Sequence, residues 1–127
     1  MKPIFVFGSN LAGRHGKGAA LYARTHHGAL YGQGEGLQGH SYAIPTKDHK
    51  LRPLPLPEIE RHVRTFLAFA EAHPELEFQV TAIGCGLAGY KPEQIAPMFK
   101  LYTSNVHPPS EFCEPGDGLH RKPPEGN

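Results

Sequence analysis

Hydrophobic and polar positions along this chain fall into blocks whose period switches between strand-like and helix-like. Ile4-Phe5-Val6-Phe7 is a short β-branched and aromatic run closed by Gly8, and it predicts a buried strand over 3–7. Residues 17–25, with Ala20 and Leu21 near helical spacing, predict a helix. Residues 27–39 hold five glycines and predict a loop. A second apolar run over 40–45 predicts a strand with Thr46-Lys47-Asp48 at its C-terminal end. Residues 51–57 carry three prolines and predict a linker. Pro57 then opens a helix with Glu58 and Glu60 in its first turn. Ile59, Val63, Phe66, Leu67 and Ala70 recur at three- and four-residue spacing, so this helix is amphipathic and ends at His73-Pro74. Phe78 to Ile83 predicts a third strand, and Pro92 opens a last helix expected to run through Tyr102.

Strands alternating with helices predict the α/β class, with a parallel or mixed sheet covered by helices. Ligands of such sheets bind beyond the carboxyl ends of the strands. Two glycine-rich turns fall there. The first runs from Gly8 through Ser9, Asn10, Arg14, His15, Gly16 and Lys17 to Gly18, and the second runs Gly84-Cys85-Gly86-Leu87-Ala88-Gly89-Tyr90. Glycine lets backbone N–H groups approach an anion closely, and a helix N-terminus adds partial positive charge. Two such turns on one sheet edge predict a single ligand gripped from two sides, with Thr46 and Lys47 as a third element. A lysine there pairs with phosphate or, when desolvated, attacks a sugar carbon. Asp48, Glu35 and His40 are the candidate acid–base groups nearby.

Composition narrows the classes. Apolar residues make up 39% and charged residues 20%, with net charge +1, so there is no global basic field of a dedicated nucleic-acid binder. Nine histidines make the charge sensitive to pH below about 6.5. No apolar run is long enough to cross a bilayer, and the N-terminal run is too short for a signal peptide, so a cytoplasmic address is expected. Cys85 and Cys113 form no disulfide framework, and Cys85 reads as a small buried filler rather than a nucleophile. After Val106 the chain is rich in proline, which predicts one domain over 1–106 and a Pro/Gly-rich flexible tail over 107–127 in which Phe112 can dock.

Two familiar nucleotide motifs are excluded. Gly8 and Gly13 have the P-loop separation, but Arg14-His15 stands where Lys-Ser/Thr is required. No Gly-x-Gly-x-x-Gly occupies the first turn, so the dinucleotide fingerprint is missing too. The histidine pairs lack metal-ligand spacing, so neither a metal nor a cofactor is expected.

The phrase Ile83-Gly84-Cys85-Gly86-Leu87-Ala88-Gly89-Tyr90 resembles the second phosphate loop of macrodomains, the ADP-ribose-binding superfamily. Gly8-Ser9-Asn10 followed by Gly16-Lys17-Gly18-Ala19-Ala20 resembles the first loop of that family. Tyr42-Ala43-Ile44-Pro45-Thr46-Lys47 resembles the strand that delivers a lysine in the subfamily of lysine-using ADP-ribosyl glycohydrolases. The chain is also similar to small phage-associated proteins of this broad type. The resemblance covers about residues 3–104 and implies a three-layer α/β/α sandwich with a mixed central sheet. It implies ADP-ribose or a related nucleotide as ligand, with the diphosphate between the two turns and Lys47 at the distal ribose. ADP-ribosylated DNA or protein is the implied substrate, and Lys47 the implied catalytic residue. Some members carry a catalytic aspartate where this chain has Ala88. Three readings stand: a glycohydrolase working through Lys47, a module that binds ADP-ribose without turnover, and an α/β interaction domain whose glycine loops are structural.

Overall fold

Three parallel strands form the centre of the molecule, flanked by one short strand on each side. The computed structural model describes residues 2–113 and 120–121. In chain order the elements are β1 (Ile4–Asn10), α1 (Gly18–His26), β2 (Gly36–Gln38), β3 (Ser41–Lys47), α2 (Leu56–Ala72) and β4 (Phe78–Val80). They continue with α3 (Pro92–Ile95), a 3-10 turn (Ala96–Phe99), β5 (Leu101–Tyr102), β6 (Val106–His107), a second 3-10 turn (Ser110–Phe112) and β7 (His120–Arg121). The main sheet has the order β2-β3-β1-β4-β6, and β5 pairs with β7 in a separate two-stranded ladder. β1 is parallel to both β3 and β4, β4 is parallel to β6, and β2 is antiparallel to β3.

Chain direction explains the packing. From β1 the chain crosses through α1 to β3 on one side, then through α2 back past β1 to β4 on the other. Right-handed crossovers that reverse direction put their helices on opposite faces of a sheet. The side chains agree. Ile4 and Val6 of β1 join Tyr42, Ile44, Phe78 and the α2 residues Ile59, Val63, Phe66 and Ala70 in the larger core. The alternate residue Phe7 joins Ala43 and the α1 residues Ala20 and Ala23 in a smaller one. The reversal makes the carboxyl end of β1 a topological switch point, where an α/β sheet opens a crevice.

Several predicted boundaries move. The first strand extends to Asn10 and the second to Lys47, so both reach into the turns that follow. The third stops at Val80: the Thr81 N–H and hydroxyl still donate to the Val6 carbonyl, at 3.0 and 2.8 Å, but the chain then turns, with the Ile83 N–H donating to the Thr81 carbonyl at 2.7 Å. The glycine-rich loop after α1 contains β2, which pairs back onto β3 through Gly39. The helix expected from Pro92 to Tyr102 lasts only to Ile95 and gives way to the 3-10 turn. Pro97 supplies no N–H and its ring crowds the carbonyl a turn earlier.

The chain after Val106 does not leave the body at once. Val106 and His107 pair with β4, and Phe112 is fully buried with its ring 5.5 Å from that of Phe99. The segment just after residue 106 is thus packed on the body of the fold through His107 and Phe112. The flexibility expected of the rest of the tail falls largely on residues outside the described ones.

Candidate functional site

β1, β3 and β4 end side by side, and the turns that follow them enclose a cavity of about 760 Å³. That lies within the roughly 300–1,000 Å³ of small-molecule sites. The two turns pack closely at its base. A Cβ on Gly8 would be in ordinary contact, 3.4 Å from both the Gly84 nitrogen and the Thr46 hydroxyl, whereas one on Gly84 would crowd the Ile95 Cδ1 at 3.1 Å. Gly84 itself has φ 75°, a left-handed conformation that glycine adopts freely.

The first turn lines the cavity with Gly8, Ser9, Asn10, Arg14, Gly16, Lys17 and Gly18. Asn10 shapes it: the side-chain amide donates to the Arg14 carbonyl, and its oxygen accepts from the Arg14 N–H, both at 2.9 Å. The N–H groups of Gly16 and Lys17 have no hydrogen-bond partner among the described residues. The first N–H groups of α1, at Gly18, Ala19 and Ala20, have none by helix geometry. Lys17 is the N-cap, and its side chain does not cap the helix.

The second turn lines the opposite wall with Gly84, Gly86, Leu87 and Ala88. It is closed by hydrogen bonds from the Gly89 N–H to the Gly86 carbonyl and from the Tyr90 N–H to the Gly84 carbonyl. The N–H groups of Gly86, Leu87 and Ala88 are left without partners among the described residues. Successive free N–H groups of this kind form an anion-binding concavity. The two turns meet at the rim, where the Leu87 Cδ1 lies 3.6 Å from the position of a Cβ on Gly18.

Thr46 and Lys47 come from β3 and complete the lining on a third side. Thr46 is buried, and its hydroxyl donates to the Ser9 carbonyl at 3.2 Å, which joins β3 to β1. Lys47 is half-buried. Among the described residues, Arg14, Lys17 and Lys47 are the charged residues of the lining, with no Asp or Glu beside them. None of the three cations lies within salt-bridge distance of a carboxylate among the described residues, whereas Arg52, Arg61 and Arg64 each pair with one.

Four residues singled out from sequence lie outside the lining: His15, Cys85, Gly89 and Tyr90. His15 is fully buried and donates from Nε2 to the Gln33 carbonyl at 3.0 Å, so it braces the first turn against the loop after α1. The Tyr90 hydroxyl donates to the Leu54 carbonyl at 2.6 Å, anchoring the second turn to the segment before α2. Cys85 packs against the larger core, and burial first, with Glu111 and Glu93 behind it, pushes its thiol up. The acid–base candidates are likewise engaged elsewhere. Glu35 accepts from His62 Nδ1 at 2.7 Å, Asp48 holds its own loop, and His40 does not line the cavity.

The structure adds Tyr31, Leu51, Ala19, Ala20 and residues 81–83 to the lining. Tyr31 sits in a glycine-rich loop and Leu51 in a proline-flanked one, and neither segment has a periodicity that assigns a side-chain direction. Compared with protein-family models, curated proteins and solved structures, the chain matches none of them. No helix among the described residues is long and apolar enough to cross a membrane.

Proposed function

We propose that the cavity binds ADP-ribose, with the diphosphate held between the two glycine turns. One observation carries this reading: two turns with runs of unpartnered backbone N–H groups line one cavity, together with three cations that have no carboxylate partner among the described residues. An anion with several oxygens satisfies both runs at once. The resemblance of both turns to macrodomain phosphate loops supplies the identity of the ligand. It also supplies the finer architecture, a three-layer α/β/α sandwich around the mixed sheet.

Position 86 offers a direct test. A Cβ there meets nothing within 4 Å, so Gly86→Val puts atoms into the cavity without a clash in the fold. ADP-ribose binding measured by calorimetry is expected to weaken at least about tenfold, a loss of roughly 1.4 kcal/mol. Thermal melting is expected to move by no more than a surface substitution causes, about 0.5 kcal/mol. Equal loss of stability and binding would make the turn structural.

Lys47 favours a second reading, a glycohydrolase that removes ADP-ribose from DNA or protein. The residue is half-buried, lines the cavity and has no ion-pair partner among the described residues. In that reaction the Lys47 ammonium first gives a proton to solvent, and the freed Nζ lone pair forms a bond to C1″ of the distal ribose as the bond to the acceptor breaks. The acceptor leaves with the electron pair and gains a proton, and water then hydrolyses the lysine adduct. Among the described residues the lining holds no carboxylate, and Lys47 is the reacting group of this reading. With ADP-ribosylated DNA and glutamate-modified protein as substrates, the parent releases label and Lys47→Ala does not. Retention of label on both substrates by the parent leaves binding alone.

A further inference from the structure

The two ends of the nine-residue helix α1 do different things. Its first residues, Gly18, Ala19 and Ala20, line the cavity beside Lys17. Its body rests on the sheet through an alanine-rich core, with Ala20, Ala23, Ala29 and Ala43 around Phe7. Alanine buries little apolar area, so that core alone holds the helix weakly.

The last turn adds a stack of rings. His27, the C-cap of α1, lies against Phe5 of β1, with ring centroids 4.5 Å apart and planes 8° from parallel. Tyr22 lies against both, 5.4 Å from each, and also meets His26 at 4.5 Å. The backbone ties the same place together. The His40 N–H donates to the His27 carbonyl and the Phe5 N–H to the His40 carbonyl, both at 2.9 Å.

His27 is a poor place for a positive charge. Its Nδ1 is buried and has no hydrogen-bond partner among the described residues. A neutral imidazole can leave that nitrogen bare, but an imidazolium carries a proton on it, and a buried donor without an acceptor is costly. Lys2 of the N-terminal segment, His26 of α1 and His40 of the turn before β3 act on the ring with the same sign, and no carboxylate joins them. The Phe5 face and the carbonyl end of α1 favour a cation. Burial first, then Lys2, His26 and His40, outweigh them and hold the imidazole below its ordinary value.

We propose that this stack is an acid-sensitive latch: protonation of His27 loosens α1 from β1 and so weakens the capture of an anion at the other end of the helix. The part that concerns the anion rests on the reading of the cavity as a nucleotide site. By linkage, the unfolded chain takes up the proton near pH 6.5 and the folded chain only below it. The contribution of the latch is therefore complete above about pH 6.5 and is lost as pH falls through the folded value. The diphosphate of ADP-ribose stays ionised over that range, so the change belongs to the protein.

In the full chain, imidazole NMR is expected to give His27 a midpoint below about 6.5, and Lys2→Gln to raise it by removing a like charge. From about pH 7.5 to about pH 5, amide protection of α1, corrected for intrinsic exchange, falls at least about twofold. ADP-ribose binding measured by calorimetry weakens with it. His27→Phe keeps the ring stack without the proton and holds both nearly constant. A midpoint at or above about 6.5 overturns the latch. So does a His27→Phe variant that loses protection as the parent does, or a Lys2→Gln variant whose midpoint does not move. A parent whose protection falls while its ADP-ribose affinity holds overturns the coupling to the cavity. A parent whose protection falls but that binds no ADP-ribose at about pH 7.5 overturns the nucleotide reading and supports the latch.

Discussion

Asp48 shapes the cavity without lining it. Its carboxylate accepts from two backbone N–H groups and pairs with Arg52 at 3.4 Å. The Arg52 backbone N–H first, then that of Lys50 and the Arg52 charge, hold its carboxyl below the usual range against a smaller opposing effect of desolvation. A depressed folded-state pKa contributes stability above the unfolded value, near 3.9, which is lost as pH falls through the folded value. Acid titration followed by amide NMR should therefore move the Lys50 and Arg52 resonances with a midpoint below that ordinary value, and Asp48→Asn should flatten the response. A midpoint at or above it would remove this role. Sequence showed Asp48 as a carboxylate beside Lys47 but not its partners, because acid–base and loop-holding roles use the same residue type. His15 and Tyr90 pose the same problem. Their place within the glycine turns was legible, but a turn sends successive side chains in different directions. His15 points into the smaller core and Tyr90 toward Leu54.

At the scale of elements, α2 was nearly complete in the sequence because its apolar stripe and proline start act together. Ile59, Val63, Phe66 and Ala70 are all buried as the spacing required. Its end is held from a distance. The Asn105 side-chain amide reaches the carbonyls of Ala70, His73 and Leu76 at 3.0 to 3.1 Å, satisfying groups that a helix C-terminus leaves open. Asn105→Ala is expected to cost about 1–3 kcal/mol in a urea titration, the range for stranding buried polar groups. A cost near zero would mean that water replaces the amide. Sequence could not show this cap, since Asn105 lies more than thirty residues from two of its three partners. Nor could it show β2 and β6, which span three and two residues and are too short for alternation to register.

For the molecule as a whole, alternating strands and helices already located the cavity at the carboxyl ends of the strands, and the cavity is found there. The pairing order remained hidden, because β1 lies between β3 and β4 only through long-range contacts. Phe66 spans that arrangement, its ring 4.9 Å from Tyr42 of β3 and 5.3 Å from Phe78 of β4. Phe66→Ala should cost about 3–5 kcal/mol in chemical denaturation, a large share of the roughly 5–15 kcal/mol of a domain. A loss under about 1 kcal/mol would show that the core closes over the gap. The three cations around the cavity, without a carboxylate partner among the described residues, carry a thermodynamic consequence. Like charges held together oppose folding, and an anion that joins them only in the folded state shifts the unfolding equilibrium by mass action. At a hundredfold excess over its dissociation constant that shift is about 2.7 kcal/mol. Added salt shortens the reach of the same charges, to about 8 Å at physiological ionic strength. The melting temperature of this protein thereby becomes a titration curve for its own ligand, steepest in dilute buffer and flattened by salt.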